Sequence, residues 1–454
     1  MFNLKKYNQI NYIYLGFFLA VLTSVILVYR NLPFIDHDTV IYTIIGRDIF
    51  ESFSMPYGRT FDHKPIFTYY IYGFFNYILN KNLYLIVSIL CCLSSAFILC
   101  KKSVNAFFVL SSFLILGSTL LSHFSGNTEM LMLPFISTYL LLFKTKNALK
   151  FLAIGGLAAI LFNINYLASV FMMPVTLYMF YNNDKIKTIK NISYFTCGLL
   201  ISLFLIFLPF LFADQNITDY FNQQFKFLTS YSNSNNLSSI IYISKFIFIL
   251  SPIIIIYIYL SKKDQSFYLN ILLITGAILG TLASGHGFSH YLVPILIPAS
   301  LMFLRILEQK RILALVVITP LILATIAATI QRAPYRIDNA GWMSNQIKKD
   351  IAHLNTLAEE DNTTLNIRTS HVIYLLSEAR NINKYVFSSH ADIIYGPKAD
   401  NYYEDQINLN PHLIMTTIGM CDTSNSICNS LKEKYRYDST LNHAKGYDLY
   451  VRTK

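Results

Sequence analysis

Long uncharged apolar runs, separated by short polar loops, repeat along the first 331 residues of this chain. A run such as Asn191–Ala213 is long enough to cross a hydrocarbon core of about 30 Å at about 1.5 Å per residue. About eleven spans are predicted, at roughly 12–30, 83–100, 106–121, 130–143, 149–163, 167–181, 191–213, 239–260, 266–283, 290–306 and 311–331. Leu4-Lys5-Lys6 precedes the first, and no small-residue cleavage site follows, so it reads as an uncleaved span. Pro65–Leu79 is also apolar, but short and crowded with Tyr69, Tyr70, Tyr72, Phe74, Phe75 and Tyr77. Rings of that kind favour the headgroup region, so this segment reads as an interfacial or re-entrant helix that does not cross.

From Arg332 onward the pattern changes, and no run is long enough to span. Met343–Glu360 alternates apolar and polar residues at helical spacing, and Leu365–Ser370, Tyr385–Ser388, Leu413–Thr417 and Tyr447–Val451 are short β-prone runs. The predicted architecture is therefore a polytopic α-helical membrane domain over 1–331, with a first loop at 31–82, followed by a small α/β domain over 332–454.

Composition supports the same class. Hydrophobic residues make up 54% of the 454 and charged residues 13%, where a soluble chain carries about 25% charged. The net charge of +11 would point to nucleic acid if it were gathered on one domain. Instead Lys and Arg collect in alternate short loops: Lys5/Lys6, Lys101/Lys102, Lys144/Lys146/Lys150, Lys185/Lys187/Lys190, Lys262/Lys263 and Arg305/Lys310/Arg311. Such loops stay cytoplasmic, so the basicity encodes orientation and no nucleic-acid partner is expected. With Pro65–Leu79 left out of the count, Asp36–Lys64, His123–Glu129, Asp214–Ser238, Ser284–His290 and the C-terminal domain all share the outer face. Cys91, Cys92, Cys100 and Cys197 fall in spans and read as packing residues, whereas Cys421 and Cys428 are expected to pair as a disulfide.

The ionisable residues of those outer loops are the candidate chemistry, because charges beside a membrane are costly unless they do something. Asp38 opens a sided helical run through Ile41, Ile44, Ile45 and Ile49; it is either a helix cap or a functional carboxylate, and Asp36 supplies a second acid. Asp62, His63 and Lys64 precede Pro65, which starts the next helix at its first position. Lys64 and Arg59 either bind a lipid phosphate or anchor the loop near the headgroups. Glu129 lies at the mouth of an otherwise apolar helix, as an acid or a capping partner of Thr128 and Asn127. Ser284–Tyr291 carries glycines that allow close backbone approach, and His286 and His290, which suit phosphate or metal.

Asp38-x3-Tyr42, Gly46-Arg47, Pro56-Tyr57, Phe61-Asp62-His63-Lys64-Pro65, Asn127-Thr128-Glu129 and His290-Tyr291-x2-Pro294 occur in that order. In this the chain resembles the GT-C membrane glycosyltransferases, more narrowly the bacterial branch related to dolichyl-phosphate-mannose protein mannosyltransferases and the aminoarabinose transferase acting on lipid A. The resemblance implies a sugar donor on a polyprenyl phosphate and transfer at the outer face of the bacterial cytoplasmic membrane, among membrane lipids. The acceptor would be lipid A, a surface glycan or a protein. It implies Asp38 as general base, with Asp36 as its rival; the residues themselves offer Glu129 as the second carboxylate of a double displacement, and Lys64, Arg59, His286, His290 and Tyr291 as candidates for the donor phosphate. Thr39 stands where the family usually has a second acid, His63 where it often has a Glu tied to metal or donor, and one proline follows Lys64 instead of two. Dependence on a divalent metal therefore stays open, with Asp62, His63 and Glu129 as candidate ligands, and Asp36 stays a rival to Asp38. The competing class is a secondary transporter or a lipid-linked-sugar flippase, which would carry charges or Gly/Pro breaks near mid-span; here the ionisable groups sit in the loops.

Overall fold

Among the described residues, seven helices are long and apolar enough to cross a membrane: Tyr12–Tyr29, Val104–Leu121, Thr188–Leu211, Leu237–Leu260, Gln265–Ala283, Ser289–Gln309 and Arg311–Gln331. The computed structural model describes residues 11–31, 36–56, 60–78, 83–143, 149–181, 185–213, 215–231, 237–334, 345–359, 361–422, 426–440 and 447–453. In chain order the helices of the first part are α1 (Tyr12–Asn31), α2 (His37–Ser52), α3 (Ile66–Ile78), α4 (Leu83–Leu99), α5 (Val104–Leu121), α6 (Thr128–Phe143), α7 (Lys150–Ile164), α8 (Leu167–Tyr181), α9 (Lys185–Phe207), α10 (Ile217–Tyr231), α11 (Leu237–Leu260), α12 (Gln265–Ala283), α13 (Leu296–Gln309) and α14 (Arg311–Gln331). A 3-10 segment, Ser289–Ile295, leads into α13.

This is the architecture of a multi-pass membrane protein. The count of eleven is not reached by length alone. The segments predicted as spans at 83–100, 130–143, 149–163 and 167–181 are α4, α6, α7 and α8, with 17, 16, 15 and 15 residues. At about 1.5 Å per residue, 15 residues reach about 22 Å, short of a core of about 30 Å. The segment predicted not to cross, α3, is shorter still at 13 residues.

Helix contacts follow the membrane rule that small residues allow backbones to meet. A methyl group on Gly155 of α7 would run into the Phe195 carbonyl of α9, and one on Gly198 of α9 into the Leu152 carbonyl of α7. Gly46 of α2 and Gly73 of α3 meet in the same way. Polar caps set several helix starts: Ser103 accepts from the Ala106 amide at 3.2 Å, and Asp264 from Phe267 at 2.9 Å.

The C-terminal domain is a mixed sheet of β1 (Thr363–Ile367), β2 (Arg380–Asn381), β3 (Leu413–Thr417), β4 (Tyr435–Asp438) and β5 (Tyr447–Arg452), in the order β2-β1-β3-β5-β4. β1 runs parallel to β2 and β3, with Leu365 opposite Ile414, and β5 is antiparallel to β3 and β4. The helices α15 (Asn345–Ala358), α16 (Ile373–Leu376), α17 (Ser388–Tyr395), α18 (Ala399–Ile407) and α19 (Ser426–Lys434) complete the domain. Leu354, Tyr403, Ile407 and Leu431 are buried with the sheet residues Leu365, Ile367, Ile414 and Leu449. Cys421 and Cys428 form the expected disulfide.

One predicted strand is absent. Tyr385–Phe387 is a bent connection and Ser388 already opens α17; the carbonyl beside it, that of Lys384, accepts the Phe61 amide at 2.6 Å instead of joining a ladder. The same face of the domain makes two more bonds to α2. His371 Nε2 donates to the His37 carbonyl at 2.8 Å, and Arg47 Nη1 to the Tyr374 carbonyl at 3.3 Å. The C-terminal domain is thus seated on the loops around α2 and α3.

Candidate functional site

Asp36 begins the site by capping α2. Its backbone is extended (φ −83°, ψ 128°) and its Oδ1 accepts the Asp38 amide at 2.9 Å. The cap is therefore Asp36, and Asp38 stands in the first turn with its carboxylate left over. Among the described residues no hydrogen bond or ion pair holds that carboxylate, and the positive end of the helix dipole favours its charge. Burial, with Asp38 close by, pushes the Asp36 carboxyl up to about 7. Tyr42 is buried one turn further along α2, and burial, with the charges of Asp38, Asp62, Glu129 and Asp36, pushes its phenol well above the ordinary range.

Lys64 enters from the loop before α3. Its carbonyl accepts from Gln224 Nε2 of α10 at 3.0 Å and shares with Asp62 Oδ2 the single proton of Tyr69 Oη, 2.9 Å away, which fixes the backbone. The side chain is buried, and burial opposes its charge. The Tyr291 oxygen and the carboxylates of Glu129, Asp38 and Asp62 outweigh that, holding the ammonium well above the ordinary lysine range. Among the described residues no carboxylate pairs with it directly.

Glu129 is presented by the first turn of α6 and is buried. Asn165, between α7 and α8, donates to its Oε1 at 2.7 Å and to Thr128 Oγ1 at 2.9 Å, while its own Oδ1 accepts the Leu167 amide at 2.9 Å. The second oxygen, Oε2, is buried without a hydrogen-bond partner among the described residues. From the segment before α13 come His290 and Tyr291, with ring centroids 4.6 Å apart. The Ser289 hydroxyl donates to the Leu121 carbonyl at 2.7 Å and ties this segment to the end of α5. A narrow cleft runs from Glu129, Asn165 and Tyr291 along Met132, Phe171 and Ala277 between α6, α8 and α12.

The structure therefore brings Asp36, Asp38, Lys64, Glu129, His290 and Tyr291 to one end of the bundle. His286 is further out, its ring stacked on that of the exposed Phe288 at 5.7 Å. Arg59 lies outside the described residues. Asp62 and His63 form a separate group: His63 Nδ1 is 3.0 Å from Asp62 Oδ1, and Tyr69 Oη donates to Asp62 Oδ2 at 3.0 Å. Although burial works against it, His63 and Lys64 beside Asp62 hold its carboxyl well below the usual carboxylate range. The predicted third ligand, Glu129, is not in this group, since it faces Asn165 and Lys64. His390 of α17 takes that place, its Nε2 4.0 Å from Asp62 Oδ1. Its ring is enclosed by Phe61, Phe227 and Phe387 and is kept neutral by burial, with a pKa pulled down to about 3.

Sequence reasoning missed Asn165 and His390. Asn165 carried a faint signal, as a lone amide pair with Asn163 between two apolar runs. His390 carried none, since its role depends on how the C-terminal domain docks.

No family model matches the chain, and no curated protein matches it.

Proposed function

We propose that this protein is a membrane glycosyltransferase that moves a sugar from a polyprenyl-phosphate donor to an acceptor hydroxyl on lipid A, a surface glycan or a protein. The observation that carries the reading is the buried ammonium of Lys64, set in the field of Asp38 and Glu129 yet paired with neither. A buried charge without a direct partner is expensive, and an arriving phosphate would supply one. The narrow cleft beside Glu129, walled by Met132, Phe171 and Ala277, sets apolar surface next to that carboxylate. The alternating basic loops support an inner-membrane protein with this site on the outer, periplasmic face.

The chemistry needs few groups. A sugar bonded to a lipid phosphate already has a good leaving group, so no strong acid is required. The acceptor oxygen bonds to the anomeric carbon as the bond from that carbon to the phosphate oxygen breaks. Asp38 takes the acceptor's proton, a contribution of about 10²–10⁴-fold. The phosphate leaves with its charge met by Lys64, and by the polar edges of His290 and Tyr291, in a poorly solvated site where such contacts are strong. Attack opposite the phosphate inverts the anomeric centre; Glu129 is the carboxylate that a double displacement would use. Glu129 is fixed by Asn165 through one oxygen, leaving the other for a substrate hydroxyl.

Purified protein mixed with a polyprenyl-phosphate sugar tests the reading. Release or transfer of the sugar is expected. Movement of the lipid across a liposome with no chemical change would make the protein a flippase and end the proposal.

A further inference from the structure

The buried group of Asp62, His63 and His390 is a second site with its own chemistry. One ligand atom from each residue lies within 4.8 Å of the others. The two histidines and one carboxylate come from different parts of the chain: Asp62 and His63 from the loop before α3, His390 from α17 of the C-terminal domain. An ion pair between Asp62 and His63 accounts for two of the three. It leaves His390 without a reason to be there. That residue is only 4% exposed, its Nδ1 has no hydrogen-bonding partner among the described residues, and its Nε2 is 4.0 Å from Asp62 Oδ1, too far to bond. A buried imidazole whose Nδ1 has no partner among the described residues, and whose Nε2 only approaches Asp62, needs an account.

We propose that Asp62, His63 and His390 bind one zinc-class divalent ion, which clamps the C-terminal domain onto the loop that carries Lys64. Two imidazole nitrogens and one carboxylate oxygen are a donor set that zinc takes, leaving a fourth position for water or substrate. Ligand atoms around tetrahedral zinc stand about 3.4 Å apart for bonds of about 2.1 Å; the pairs with Asp62 stand at 3.0 and 4.0 Å and the two histidines within 4.8 Å, so the site closes around an ion by shifts of at most about 1.4 Å. The outer contacts fit as well. Tyr69 Oη holds the remaining oxygen of Asp62 at 3.0 Å, the kind of contact that orients a ligating carboxylate. Phe227 stacks on His63 at 5.2 Å and meets His390 edge-on at 4.9 Å, so the rings have little freedom to turn. The ion lies outside the proposed transfer step, and its binding is read without any activity.

The test uses the full chain, purified in detergent without a histidine tag and stripped with chelator. Metal analysis after zinc addition and dialysis should give about one equivalent per chain, and cobalt should give a saturable visible spectrum with nitrogen and oxygen ligands. His390→Phe keeps the volume and the aromatic packing but cannot ligate; the zinc content should fall at least five-fold and the zinc-dependent rise in melting temperature should vanish. Asp62→Asn should weaken the cobalt spectrum in the same way. A wild-type protein that takes up no zinc and gives no cobalt spectrum overturns the proposal, as does a folded His390→Phe that keeps full stoichiometry. If His390→Phe does not fold, the wild-type cobalt titration decides alone: saturation at one equivalent, competed by zinc, supports the site, and its absence rejects it.

Discussion

Asp38→Asn separates the two functions that a carboxylate at the start of α2 could serve. The cap belongs to Asp36, whose Oδ1 accepts the Asp38 amide at 2.9 Å, and an asparagine at position 38 leaves that bond in place. The cap's contribution, about 1 kcal/mol, is therefore kept. What is lost is the attraction of a carboxylate to the helix N-terminus, about 0.3–1 kcal/mol. Relief of the repulsion between Asp38 and Asp36, which helps to raise the Asp36 carboxyl, acts in the other direction. The two offset, so the melting temperature should move by no more than about 2 °C. Turnover should fall about 10²-fold or more, the loss expected on removing a general base, or about 2.7 kcal/mol in barrier. The assay is single-turnover loss of sugar from a polyprenyl-phosphate donor, with donor binding and thermal stability measured on the same preparation. A folded Asp38→Asn protein with near-normal turnover refutes the assignment. If Asp36→Asn is then the inactive one, the base is Asp36, whose pKa near neutrality would suit it.

Other consequences are open to measurement. Lys64→Ala should raise the apparent KM for the lipid-linked sugar more than that for the acceptor; a change confined to acceptor kinetics would remove Lys64 from the phosphate. The Asp36 carboxyl, at about 7 in the folded protein against 3.8 ordinarily, contributes stability that is full below about pH 4 and lost as the pH rises through 7. The melting temperature of wild type relative to Asp36→Asn should therefore drop between pH 5 and pH 8, and a flat difference would contradict the buried, raised carboxyl. A leucine at Gly155 should prevent α7 and α9 from closing and abolish detergent-stable protein, since the Phe195 carbonyl occupies the space; wild-type melting would sink that account of the packing. In a variant lacking the free cysteines, a cysteine at Asn362 should react with a membrane-impermeant reagent on spheroplasts and one at Asn105 should not. Labelling at Asn105 would reverse the orientation.

The apolar runs made the helices legible, and seven of the predicted spans coincide with long apolar helices. The rest of the count was not, because hydropathy does not tell a short helix enclosed by its neighbours from one that meets lipid: α6 and α7 read alike in sequence, yet most of α6 is buried and half of α7 is not. The loop carboxylates and Lys64 were legible because charge is rare here, and most of them do gather at one end. The division of labour between Asp36 and Asp38 was not, since capping depends on which residue leaves the helix. His390 was invisible for a different reason: Asp62 and His63, which it meets, are more than 320 positions away.

The bonds that seat the C-terminal domain join residues very far apart in sequence. Arg47 and Tyr374 are separated by 327 positions, and His37 and His371 by 334. Contacts of such separation close late, because a long stretch of chain must first be ordered. A chain still emerging from the ribosome can thread its early helices into the bilayer, but it lacks the partner that holds the loop bearing Lys64. The cluster around Lys64 then becomes complete only when synthesis has run through the last domain, so a nascent or prematurely ended chain would sit in the membrane with that loop still unheld.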